Sequence, residues 1–112
     1  MKDPKEKVLF VCTAGMQRSP TAARLVNERA GKRYEAAFAG IATPMTESHL
    51  IRESLDWADH IFVMEPMHKK WIEEHLDTDK QIHVLSIPDT YSVDDPVLRT
   101  VLEERLSSYL TL

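Results

Sequence analysis

A single α/β domain, residues 1–112, with a parallel sheet is predicted for this chain from three observations. Short strand-like runs recur at 8–11, 60–64 and 81–85, with a looser one at 34–39. Between them lie segments whose apolar residues follow helical spacing. Pro20, Pro66 and Pro96 stand where those segments begin, the position a helix tolerates best. Single strands separated by single helices need crossover connections, and such crossovers build parallel sheets with helices on both faces.

The first run, Val8-Leu9-Phe10-Val11, is apolar throughout, as a strand covered on both sides should be. Ser19 is read as the N-cap of the first helix and Pro20 as its first residue. That helix reaches about Ala30, with Ala22, Ala23, Leu25 and Val26 apolar and Gly31 as its stop. A loop marked by Pro44 follows the second strand. Thr46 or Glu47 opens a second helix that runs to about Asp56, with Leu50, Ile51 and Leu55 on one face. Pro66 opens a third helix through Leu76, carrying Met67, Trp71, Ile72 and His75 at helical spacing. After the fourth strand comes a loop at 89–94. Asp95 then caps the last helix, with Leu98, Val101, Leu102, Leu106 and Leu110 turned inward.

Composition narrows the function classes. Hydrophobic content of 43% beside 29% charged residues is ordinary for a globular domain with a real core. A net charge of −4 argues against a general role on nucleic acid or membrane surfaces. No apolar run nears the roughly 20 residues that span a bilayer. The lone cysteine forbids an internal disulfide framework and suits a reducing compartment, so a cytoplasmic location is expected. The charged start, Met1 to Lys7, lacks a signal-peptide pattern. His49, His60, His68, His75 and His83 are scattered, so no metal site is expected. No glycine-lysine nucleotide loop is present.

The chemistry concentrates in Cys12-Thr13-Ala14-Gly15-Met16-Gln17-Arg18-Ser19-Pro20. A strand end, a short loop and a helix start make an anion site from oriented backbone amides and the helix dipole. Arg18 adds a planar fork for two oxygens of a phosphoryl group. The same field favours the ionised sulfur of Cys12, and the Ser19 hydroxyl is placed to donate to it. The plain alternative is a buried, inert cysteine at a strand end. Arg18, Ser19 and Pro20 together weigh against it.

Cys12-x5-Arg18-Ser19-Pro20 after Val-Leu-Phe-Val resembles the signature of the low-molecular-weight protein tyrosine phosphatases. Ala58-Asp59-His60-Ile61-Phe62-Val63-Met64-Glu65 resembles the family's third strand, and Ala39-Gly40 the end of its second. Ile87-Pro88-Asp89-Thr90-Tyr91 resembles the late loop where the family has Asp-Pro-Tyr. The short chain is similar to a compact branch of predicted tyrosine phosphatases. The resemblance implies a three-layer sandwich with strand order 2-1-3-4. The loops after strands one and four then share the carboxyl edge, at a topological switch point. It also implies a phosphatase without metal or cofactor, acting on a phosphotyrosine protein or a small aryl phosphate. Cys12 would attack phosphorus, while Arg18 and the loop from Thr13 through Ala14, Gly15, Met16 and Gln17 to Ser19 would hold the oxygens. Asp89 would be acid and then base. Tyr91 would pack against the substrate ring.

Turn chemistry alone also accounts for Pro88-Asp89-Thr90, and Asp94 and Asp95 compete for the acid's part, although Asp95 before Pro96 suits a helix cap. Gly15 stands where the family usually has a bracing asparagine, which predicts a looser loop and slower turnover. Gln17 stands where a second cysteine is common, so Cys12 has no neighbouring thiol to form a protective disulfide. The 40–60 segment is shorter than in typical members, which bears on substrate preference. His68 to Lys70 and Glu73-Glu74 read as solvated surface, Trp57 and Trp71 as packing residues, and Met16 as a rim or cover of the pocket.

Three other functions compete. Cys12-Thr13-Ala14-Gly15-Met16 is also similar to the phosphocysteine loop of sugar-phosphotransferase IIB carriers, but a carrier wants neither the Arg18 clamp nor a water-activating Asp89. A binding module that holds phosphoproteins without turnover fits the glycine at position 15. An arsenate reductase of similar fold would need further cysteines for its thiol relay.

Overall fold

Strand ends decide where chemistry can sit in this molecule, because every strand runs the same way. The computed structural model describes residues 4–14, 17–45 and 49–112. Along them run β1 (Glu6–Cys12), α1 (Arg18–Ala30), β2 (Tyr34–Gly40), α2 (Arg52–Trp57), β3 (His60–Val63), α3 (Pro66–His75), β4 (Ile82–Val84) and α4 (Pro96–Leu106). The sheet order is β2-β1-β3-β4, with parallel pairing throughout. No helix among the described residues is long and apolar enough to cross a membrane.

Side chains alternate along a strand, and that sorts β1 between two cores. Val8, Phe10 and Cys12 join Ala22, Leu25 and Val26 of α1 and Leu98, Leu102 and Leu106 of α4. Leu9 and Val11 join Leu55, Ile61 and Ile72 in the layer of α2 and α3. Both faces of β1 are covered, which is why its sequence is an unbroken apolar run. With 6 residues, α2 is far below the ~12–15 at which an isolated helix holds. Full burial of Leu55, worth roughly 1.5–3 kcal/mol, supports it.

Three expectations need correction. The first helix begins at Arg18 rather than Pro20, and Gln17 is its N-cap without a side-chain cap bond. Ser19 lies inside the first turn with its hydroxyl on the cysteine sulfur, so it is no cap. Gly31 does close α1, but with a right-handed φ of −64°. Close approach explains the glycine there, since a Cβ would run into the Asn27 carbonyl oxygen. The second helix is shorter than its apolar spacing predicts. His49 bridges to Gly40 and Leu50 N donates to Gly40 O at 2.8 Å, so the chain is held to the end of β2 before α2 starts. Ile51 is extended and exposed. The expected start at Thr46 or Glu47 lies outside the described residues. The last helix follows its signals: Asp95 Oδ1 accepts from Val97 N at 2.8 Å and Pro96 is the first residue.

Candidate active site

Parallel register brings the carboxyl ends together. Cys12 pairs with Gly40, Val11 with Val63, and Val63 with Val84. Bonds continue past the strand ends: Ile41 N to Cys12 O at 3.1 Å, Ala42 N to Thr13 O at 2.8 Å, and Ile87 N to Met64 O at 2.7 Å. Loops that are distant in sequence are thereby held side by side. They enclose a cavity of about 80 Å³ lined by Cys12, Thr13, Ala14, Gln17, Arg18 and Asp89. This is more than the roughly 10–15 Å³ that one water needs, and it leaves room for a small oxyanion.

Each lining side chain has a physical reason for its place. Position 12 shares the parity of positions 8 and 10, so the sulfur faces α1. There it lies 2.9 Å from Ser19 Oγ, with Cys12 only 3% exposed. Arg18, 2% exposed, is a buried cation and needs partners. Its Nη1 donates to Ile87 O at 2.7 Å and to the Glu65 carboxylate. Its Nε lies 3.8 Å from Asp89 Oδ1, beyond hydrogen-bond length but within electrostatic reach. Asp89 is 58% exposed at the rim.

Two rivals for the acid's part are engaged elsewhere. Asp94 pairs with Arg24, its N–H donates to Thr21 Oγ1 at 2.9 Å, and Asp95 caps α4. Among these three aspartates, only Asp89 lines the cavity. Its loop runs between two non-glycine residues in the left-handed region, Ser86 at φ 58° and Asp94 at φ 57°. Tyr91 is half-buried, packs against the core beneath α1 and α4, and does not line the cavity. Gly15 and Met16 lie outside the described residues.

Sequence reasoning missed two neighbours of the cavity, Glu65 and His68. The supposed solvated face at 68–70 fails at its first residue, because His68 is 0% exposed. Its Nδ1 accepts from Glu65 N at 3.0 Å, and its Nε2 lies 2.9 Å from Thr13 Oγ1. Burial, and then the Arg18 charge, lower its pKa to about 4, although Glu65 and Asp89 pull the other way. The available signal was spacing: Glu65-Pro66-Met67-His68 sets an N-cap residue three positions before a side chain able to reach back to it.

No protein-family model matches the chain, and neither does any curated protein. Solved structures do match. A low-molecular-weight protein tyrosine phosphatase from T. tengcongensis has 22% identity, covering 95% of this chain and 100% of that one, with a TM-score of 0.73. The tyrosine phosphatase Wzb from Escherichia coli K30, solved with phosphate, has 17% identity over 95% of this chain and 96% of that one, with a TM-score of 0.74. The YwlE arginine phosphatase from Geobacillus stearothermophilus has 24% identity, 91% and 86% coverage and a TM-score of 0.65. The chain therefore has the fold of the low-molecular-weight protein tyrosine phosphatases. That is the fold its cysteine-arginine signature and alternating elements led us to expect.

Proposed function

We propose that this protein hydrolyses phosphomonoesters through a cysteinyl-phosphate, with phosphotyrosine proteins or aryl phosphates as substrates and no metal or cofactor. One observation carries the reading: Cys12, Arg18 and Asp89 line a single cavity of about 80 Å³ although they are spread over the chain. In the first step Cys12 Sγ attacks phosphorus. The S–P bond forms as the P–O bond to the leaving group breaks, and Asp89 gives its proton to the departing oxygen. In the second step Asp89 accepts a proton from water as the water oxygen attacks phosphorus. The S–P bond breaks, returning the thiolate and releasing inorganic phosphate. Arg18 and the cavity-lining loop residues Thr13, Ala14 and Gln17 hold the phosphoryl oxygens throughout. A reactive thiol without a second cysteine suits a reducing compartment such as the cytoplasm.

Hydrolysis of para-nitrophenyl phosphate in EDTA tests the reading. The parent should turn over, Cys12→Ser should be inactive, and Asp89→Ala should be slower by about 10²–10⁴-fold. Undiminished turnover by Cys12→Ser would contradict the mechanism. A parent that binds phosphate without turnover would point to a binding module instead. Because one structural relative is an arginine phosphatase, matched phosphotyrosine and phosphoarginine peptides then decide the substrate class.

A further inference from the structure

The Thr13 hydroxyl has one proton, and its surroundings decide where that proton goes. The N–H of Glu65 can only donate, so His68 Nδ1, 3.0 Å away, must be the bare, accepting nitrogen. A neutral imidazole then carries its hydrogen on Nε2. Nε2 lies 2.9 Å from Thr13 Oγ1, so it donates to that oxygen. Protonating the ring would put a hydrogen on Nδ1 and break the bond from Glu65. Having accepted from His68, Thr13 Oγ1 has no other partner among the described residues and keeps its own proton to give, and Thr13 lines the cavity.

We infer that His68 is a positioning residue that makes the Thr13 hydroxyl a hydrogen-bond donor to an oxyanion held in the cavity. The pair joins the loop after β1 to the first turn of α3 across 55 positions of sequence. It braces from outside a loop that carries glycine at position 15. Glu65, which supplies the backbone donor to His68, also holds Arg18 through its carboxylate. One helix start therefore orients two of the groups that face the anion. The inference rests on the anion-site reading of the cavity.

Calorimetric titration of orthophosphate at pH 7 tests it with the parent, T13V, H68N, H68Q and T13V/H68N. An asparagine amide at position 68 can replace the Nδ1 acceptor but cannot reach Thr13, whereas a glutamine amide can replace the Nε2 donor. T13V and H68N should each weaken phosphate binding about tenfold, the worth of one hydrogen bond to a charged group. H68Q should stay within about threefold of the parent, and the double variant should bind no worse than T13V. Parent-like binding by T13V or H68N, or losses that multiply in the double variant, would overturn the inference alone. A parent that binds no phosphate would overturn the anion-site reading and the inference with it.

Discussion

Arg18 Nη1 donates to the carbonyl of Ile87 at 2.7 Å, two residues before Asp89. The cation at the start of α1 and the loop after β4 are therefore fastened directly to one another. Both buried faces of the sheet, and every strand register, act together to bring them there.

Removing Glu65 tests how much Arg18 depends on its counter-charge. Glu65→Ala leaves a 2% exposed guanidinium with the Ile87 carbonyl and a 3.8 Å contact to Asp89. Loss of one partner of a fully buried pair costs about 3–5 kcal/mol, and the 29% exposure of Glu65 lowers the expectation to about 2–3 kcal/mol. Urea unfolding measures it. A change below about 0.5 kcal/mol would show that water serves Arg18 equally well.

His68 makes stability depend on pH in a defined direction. Its folded pKa of about 4 lies below the ordinary 6.5, so between those values the unfolded chain binds a proton that the folded chain refuses. Its contribution is fully present above pH 6.5 and is lost as pH falls toward 4, by on the order of 3 kcal/mol. Unfolding curves of the parent and H68Q should therefore converge as pH falls through this window. Parallel curves would place His68 in contact with water.

The proposed chemistry requires an ionised sulfur and a protonated carboxyl at once. The pH dependence of kcat/KM should be bell-shaped, because the two groups are needed in opposite protonation states. Asp89→Asn should be slower and should lose the alkaline limb. A parent rate that climbs steadily toward alkaline pH would remove Asp89 from the acid's role.

Lys80 ends α2 from a distance. Its ammonium donates to Leu55 O at 2.7 Å, Asp56 O at 2.8 Å and Ala58 O at 2.7 Å, and Leu55 O also accepts from Ala58 N at 3.3 Å. Lys80→Met keeps most of the stem and removes the three bonds, so a loss of about 1–3 kcal/mol is expected in thermal or urea unfolding. Arginine at this position should rescue little, since a planar fork cannot converge on three carbonyls as an ammonium does. A Lys80→Met variant as stable as the parent would show that these contacts contribute nothing.

Much of the fold was legible because local signals and burial agree. The unbroken apolar run at 8–11 announced a strand covered on both faces, and Asp95-Pro96 announced a helix start that the structure reproduces. The face of the sheet that Cys12 takes came from the structure, which sets it with Val8 and Phe10 against the first helix. Strand order needed the family resemblance, because periodicity tells that strands exist and not which ones pair.

What only the tertiary structure decided were the roles of polar residues whose partners lie far away in the chain. Ser19 looked like a cap, yet a sulfur 2.9 Å away engages its hydroxyl. Leu50 and Ile51 fit a helical stripe, yet the bond from Leu50 N to Gly40 holds the chain to the end of β2 first. His68 beside two lysines looked solvated, yet its ring is buried between Thr13 and the Glu65 amide. Local pattern reports which residues avoid water. A buried polar group is held by specific partners brought near it when the sheet closes, and no short stretch of sequence contains them.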